Sequence, residues 1–134
     1  MIFTDSDAFI GLYSEDDFHH ENAQKILSKL KEEKEDLVTS WDVVDEVVTK
    51  LSSRATKKIA LEFFQGILKS EILIIFPDIR LVKKTLRVFK KQASKKVSLT
   101  DCTNMAIAKE KGIKKFFSFD KVYEKNGFRL LSNR

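Results

Sequence analysis

Ile2-Phe3-Thr4-Asp5-Ser6-Asp7-Ala8-Phe9 opens the chain, an apolar stretch that runs straight into two carboxylates. Met1 to Thr4 reads as a short buried strand, and Ala8 to Tyr13 as a turn or short helix behind it. Working outward, Ser14 to Asp17 is a polar loop. Ala23, Ile26, Leu27 and Leu30 then follow the i, i+3, i+4, i+7 spacing of a helix with one apolar face, solvated from Lys31 to Asp36. Leu37 to Ser40 is a second strand, and Ser40 is placed to cap a helix that starts at Trp41. Trp41, Val44, Val47, Val48 and Leu51 form the apolar arc of that helix. A further helix from about Thr56 to Lys69 buries Ile59, Ala60, Phe63, Phe64 and Ile67.

Ile72 to Phe76 is a continuous apolar run stopped by Pro77, the pattern of a strand covered on both faces. Asp78 caps the next helix, in which Val82, Thr85, Leu86 and Phe89 are expected to face inward. Arg80, Lys83, Lys84, Arg87, Lys90 and Lys91 occupy its outer face. Leu99 to Lys111 reads as a helix ended by Gly112, Phe116 to Phe119 as a strand leading to Asp120, and Phe128 to Leu131 as the last strand. Strands alternating with helices predict an α/β fold with a mostly parallel sheet. In such sheets ligands bind beyond the carboxyl ends of the strands. Asp5 and Asp120 both follow strands and fall on the same rim.

With 134 residues, one proline and four glycines, the chain is expected to form a single domain spanning 1–134, with no flexible linker. The lone Cys102 excludes an internal disulfide and is expected to pack beside Met105 and Ala106. No signal peptide or transmembrane run is visible, which predicts a cytoplasmic protein without a membrane association. Net charge is +5, from 25 basic and 20 acidic residues, which favours an anionic partner such as nucleic acid. If four acids gather in one pocket, 25 basic residues face the remaining 16 acidic ones, and the surrounding surface carries +9.

Each acid has a plainer role beside a functional one. Asp5 and Asp120 are natural turn residues at strand ends. Glu46 stands four residues before Lys50, the favourable order for a helical salt bridge, yet it also borders the apolar arc. Asp45 borders the other edge, and periodicity does not choose between the two. Ser98-Leu99-Thr100-Asp101 fits a capping box, which would engage the Asp101 carboxylate at the helix start. Asn104 and Ala108 share the face of Asp101 and leave room for a ligand. His19 and His20 are adjacent, so their side chains diverge on a helix and make a poor metal pair.

Together these residues resemble the PIN domain family, and within it the ribonuclease toxins of VapBC-type toxin–antitoxin pairs. Asp5-Ser6-Asp7 is similar to the family's D-[ST]-[NSD] opening, and Thr39 to Leu51 to its second-strand exit with an acid at Glu46. Ser98 to Gly112 is the most specific match, and Ser118-Phe119-Asp120 is similar to the closing [TS]-x-D motif. The resemblance implies a three-layer α/β/α architecture whose central, mostly parallel sheet of about five strands is flanked by helices. It implies that Asp5, Glu46, Asp101 and Asp120 form a catalytic, metal-binding quartet, which chooses Glu46 over Asp45. Ser6, Asp7 and Ser118 would support it. Mg²⁺ or Mn²⁺ is the implied cofactor, a hard cation suited to oxygen ligands. RNA is the implied substrate, cut to leave a 5′-phosphate and a 3′-hydroxyl. An antitoxin and a second copy of the chain are the implied partners.

Two rival readings stand beside this one. Asp5-Ser6-Asp7 also matches the D-x-D opening of phosphotransferases related to haloacid dehalogenases, but Phe9 occupies the position where those enzymes carry Thr. A PIN-like module that binds RNA or a partner without cutting is the second.

Overall fold

The computed structural model describes residues 1–131. Five strands, β1 (Ile2–Thr4), β2 (Leu37–Ser40), β3 (Leu73–Ile75), β4 (Lys115–Phe117) and β5 (Arg129–Leu130), form one sheet in the order β3-β2-β1-β4-β5. Every pairing is parallel. Seven helices connect and flank them among the described residues: α1 (Ser6–Tyr13), α2 (His20–Glu32), α3 (Trp41–Arg54), α4 (Lys57–Lys69), α5 (Ile79–Lys90), α6 (Leu99–Lys111) and α7 (Val122–Lys125).

The strands are short but sort their side chains by the alternation of the pleat. Phe3, Val38 and Phe116 enter the main core with residues of α3 to α6. Ile2, Leu37 and Phe117 face the opposite layer, where Ala8, Ala23, Ile26, Leu27 and Leu30 of α1 and α2 cover them. Local chemistry starts the helices where the sequence indicates. Ser40 Oγ accepts from Val43 N–H at 3.1 Å, Thr56 Oγ1 from Ile59 N–H at 3.1 Å, and Asp78 Oδ1 from Leu81 N–H at 2.8 Å. Gly112, with φ of +69°, takes the left-handed position that closes α6.

Two expectations fail. β3 is not covered on both faces: it is the edge strand, Leu73 is 46% exposed, and Phe76 just beyond it is also exposed. Its apolar run reflects burial against β2 on one edge and partial cover by helices, which hydropathy alone does not distinguish from a central strand. The inward face of α5 is also different. Leu81, Thr85 and Val88 are buried, whereas Val82, Leu86 and Phe89 are about half exposed. The helix carries two apolar stripes, and contacts with α6 select between them. Thr85 Oγ1 donates to the Leu81 carbonyl at 2.9 Å and lies 3.3 Å from Thr103 Oγ1. Arg80 and Lys84 both pair with Glu110 of α6, fixing the same rotation from the polar side. In α3 the arc is wider than expected, since Val43 is fully buried while Trp41 and Val48 are half-buried.

Candidate active site

The carboxyl ends of β1, β2 and β4 lie side by side, with Thr4 opposite Phe117 in the register. The chain leaves β1 at Asp5 and β4 at Ser118, which brings residues 113 positions apart into contact. Ser118 Oγ has one proton to give and lies 3.0 Å from Asp5 Oδ2 and 3.3 Å from Asp7 Oδ2. It also accepts from Asp120 N–H at 3.1 Å, so Ser118 links three acids of the rim. Asp5 additionally caps α1, accepting from Ser6 N–H at 2.8 Å. Asp5 therefore caps a helix and joins the acid rim in one geometry.

Beneath Asp5 lies a buried polar hub that the sequence disguises. Asn104 is wholly buried, and its Nδ2 donates to Asp5 Oδ1 at 3.4 Å and to Tyr123 Oη at 3.1 Å. Its Oδ1 accepts from Ser40 Oγ at 2.8 Å, tying the end of β2 to α6. The Tyr123 hydroxyl donates to Asp101 Oδ1 at 3.3 Å. Asn104 was expected to leave space for a ligand; instead it is filled in by hydrogen bonds. Tyr123 gave no sequence signal beyond being an aromatic residue in a short helix.

Asp101 divides its two oxygens. Oδ2 accepts from Ser98 N–H at 3.2 Å while Ser98 Oγ accepts from Asp101 N–H at 3.0 Å, completing the capping box. Oδ1 is left to face Tyr123 and the rim. Asp7 behaves comparably: Oδ2 accepts from Phe119 N–H at 2.9 Å, while its buried Oδ1 has no hydrogen-bond partner. Asp120 is exposed, and its Oδ1 accepts from Val122 N–H at 2.9 Å. Glu46 stands apart from these acids. It pairs with Lys50 at 3.5 Å and lines a shallow cavity of about 320 Å³ with Asp42, Asp45 and Thr100, the residue preceding Asp101. Ser6 is buried and contributes the N–H that Asp5 accepts.

Crowding of carboxylates raises their proton affinity. Burial, and then the charge of Asp7 and of Asp101, pushes Asp5 up to about 8 against the donors Ser6 and Ser118. Burial pushes Asp7 up to about 6, with Asp120 adding to the rise, while bonds from Phe119 and Ser118 and the nearby His19 oppose it. Asp101 is raised by burial, with Asp120 contributing, against the bonds from Ser98. Burial, followed by the charges of Asp5 and Asp101, lifts the Tyr123 hydroxyl well above its ordinary value, so it stays a proton donor. The charges of Asp7 and Asp101 thus act on Asp5, and that of Asp120 on Asp7 and Asp101. As the side chains stand, no three His, Cys, Asp or Glu among the described residues are set to hold a metal ion.

A five-stranded parallel sheet of this order, flanked by helices, has counterparts among known proteins. The model of the PIN domain matches residues 2–129. The chain belongs to the PIN domain family. The solved structure of Mycobacterium tuberculosis VapC20, described as a sarcin-ricin loop cleaving toxin, superposes with a TM-score of 0.84. It is 22% identical over 96% of each chain, so what it shares with this PIN domain is the fold. No curated protein matches the sequence. No helix among the described residues is long and apolar enough to cross a membrane.

Proposed function

We propose that this PIN domain is a cytoplasmic endoribonuclease that depends on Mg²⁺ or Mn²⁺ and acts as the toxin of a type II toxin–antitoxin pair. The observation that carries the reading is the convergence of Asp5, Asp7 and Asp101, all with raised proton affinity, at one strand-end rim. Carboxylates in that state take up either protons or a cation. The donor set suits a hard cation, since it is all oxygen and includes the unpartnered, buried Asp7 Oδ1. Asp5 and Asp101 would hold the main ion, with Glu46 and Asp120 completing the site or orienting water. Glu46 would have to release Lys50 to take part.

When bound, such an ion supplies Lewis acidity toward a phosphoryl oxygen and toward water. The chain's own residues then have defined tasks. Asn104 and Ser118 fix the Asp5 carboxylate, Tyr123 orients Asp101 Oδ1, and the capping box prevents Asp101 from swinging away. Asp120, exposed at the rim, would help to orient an attacking water. The net positive charge of the rest of the surface draws the RNA backbone toward this acidic opening.

An inhibitory antitoxin would place a basic residue among the acids. A separate groove of about 790 Å³, walled by Phe9, Leu12, Leu27, Leu37 and Phe117, offers an apolar bed for one of its helices. A second copy of the chain would widen the RNA-binding surface.

The test is cleavage of a structured RNA by the purified chain with Mn²⁺. Cutting is expected, and EDTA, Asp5→Asn or Asp101→Asn should each abolish it. Cleavage that survives in Asp101→Asn overturns the site, and no cleavage by the wild-type chain overturns the reading.

A further inference from the structure

His19, whose charge bears on Asp7, forms the centre of an aromatic step beside the acid cluster. Its imidazole lies flat on Phe119, with ring centroids 3.9 Å apart and planes within 2°. Phe18 meets the His19 ring edge-on at 5.0 Å and 84°. Phe119 is joined to the acid site through its N–H, which Asp7 Oδ2 accepts at 2.9 Å. The step therefore begins one residue from Ser118.

Phe18 is 93% exposed, and a large apolar ring left in water invites a partner. It is not on a loose tip. Asp17 Oδ2 accepts from His19 N–H at 3.0 Å, Asp17 N–H donates to the Ser14 carbonyl at 3.1 Å, and His20 N–H donates to the Asp17 carbonyl at 3.0 Å. His20 is bonded in turn through Nδ1 to the Gly11 carbonyl at 2.7 Å. These bonds order the backbone on either side of Phe18.

We propose that Phe18, backed by the His19–Phe119 stack, is a platform on which an unpaired nucleobase of the RNA stacks next to the phosphate presented to the acids. The inference rests on the ribonuclease reading and adds a positioning surface to it. A nucleobase fits better than a phosphate because Glu15, Asp16 and Asp17 precede Phe18, so this turn offers a π-face and no lysine or arginine to pair with a phosphate. Base stacking needs only a π-face and is tolerant of sequence. The platform thus selects an unpaired nucleotide at one place and leaves the basic surface to track the phosphates.

The experiment is fluorescence anisotropy of a short single-stranded RNA titrated with the full chain in EDTA, where nothing is cut. Phe18→Ala is expected to weaken binding roughly tenfold. The slope of affinity against salt should not change, since losing a stacked base releases no counterions. Phe18→Trp should restore affinity, and its fluorescence should be quenched by the RNA, less so by one that is abasic throughout. The exposed position leaves the thermal midpoint of both variants at the wild-type value. Wild-type affinity in Phe18→Ala, or an equal loss against the abasic strand, overturns the platform; the first result would assign the step to a protein contact. If the wild-type chain cuts RNA and Phe18→Ala cuts it with unchanged kcat/KM, the platform falls while the nuclease stands. A wild-type chain that neither binds nor cuts RNA overturns both.

Discussion

The Tyr123 hydroxyl donates to Asp101 Oδ1 at 3.3 Å, across from a capping box that already holds the other oxygen of the same carboxylate. Helix capping and the hydrogen bond from Tyr123 do not compete at Asp101, because each uses one oxygen. Asp101→Asn keeps an oxygen for the Ser98 N–H and removes the charge. The expected result is a thermal midpoint within a few degrees of wild type together with loss of Mn²⁺-dependent RNA cleavage. Differential scanning calorimetry and a cleavage assay on the same preparation check it.

Removing the hydroxyl from the other side has a different signature. Tyr123→Phe keeps the ring that stacks on Phe116 at a centroid distance of 4.2 Å, but leaves Asn104 Nδ2 and Asp101 Oδ1 each one partner short. A stability loss of about 1–3 kcal/mol is expected from the unmet hydrogen bonds. Cleavage should fall without vanishing, since Asp101 keeps its charge and loses only its orientation. Urea denaturation and kcat measured at saturating Mn²⁺ separate the two effects; an unchanged stability would show that the buried hub is not coupled to Tyr123.

The raised carboxylates also set a pH dependence of stability. Asp5, near 8, and Asp7, near 6, hold protons in the folded state that the unfolded chain gives up near 3.8. The folded state binds more protons than the unfolded one across that window, so stability falls as pH rises, through about 6 for Asp7 and about 8 for Asp5. The metal-free protein should therefore melt several degrees lower near pH 8 than near pH 5. Asp5→Asn should flatten most of that fall and, near pH 8, stabilise the metal-free chain. Thermal melts in EDTA across the range decide this. A wild-type midpoint that rises from pH 5 to pH 8 would contradict the burial of these acids.

The sequence made the rim legible and hid what lies beneath it. The Asp5 and Ser118-to-Asp120 positions follow from strand ends, because parallel strands put their exits on one side whatever their helices do. The limits of α6 were legible from Ser98, Asp101 and Gly112, which act through local hydrogen bonds. The Asn104–Tyr123–Ser40 hub was not, since it joins residues 64 and 19 positions apart along the chain and depends on how α6 and α7 pack. Burial of an amide in a helix leaves no periodic signal. Glu46 illustrates the opposite case: its bond to Lys50 was readable from spacing alone, whereas spacing gives no position for it relative to the other acids.

The rotation of α5 offers the sharpest test of packing against pattern. The helix presents Leu81, Thr85 and Val88 to the core, and Val82, Leu86 and Phe89 on its other apolar stripe remain about half exposed. Hydropathy favours the exposed stripe, since Thr85 interrupts the buried one, so the decision comes from the Thr85–Thr103 contact and from Glu110, which holds Arg80 and Lys84. Leu81→Ala opens a cavity in a closed region and should cost about 2–5 kcal/mol. Leu86→Ala removes a ring of contacts already shared with water and should stay within about 0.5 kcal/mol in the monomer. Chemical denaturation of both variants at low protein concentration makes the comparison. Equal losses would mean that both stripes are covered, which a midpoint rising with protein concentration for wild type but not for Leu86→Ala would trace to self-association through the exposed stripe.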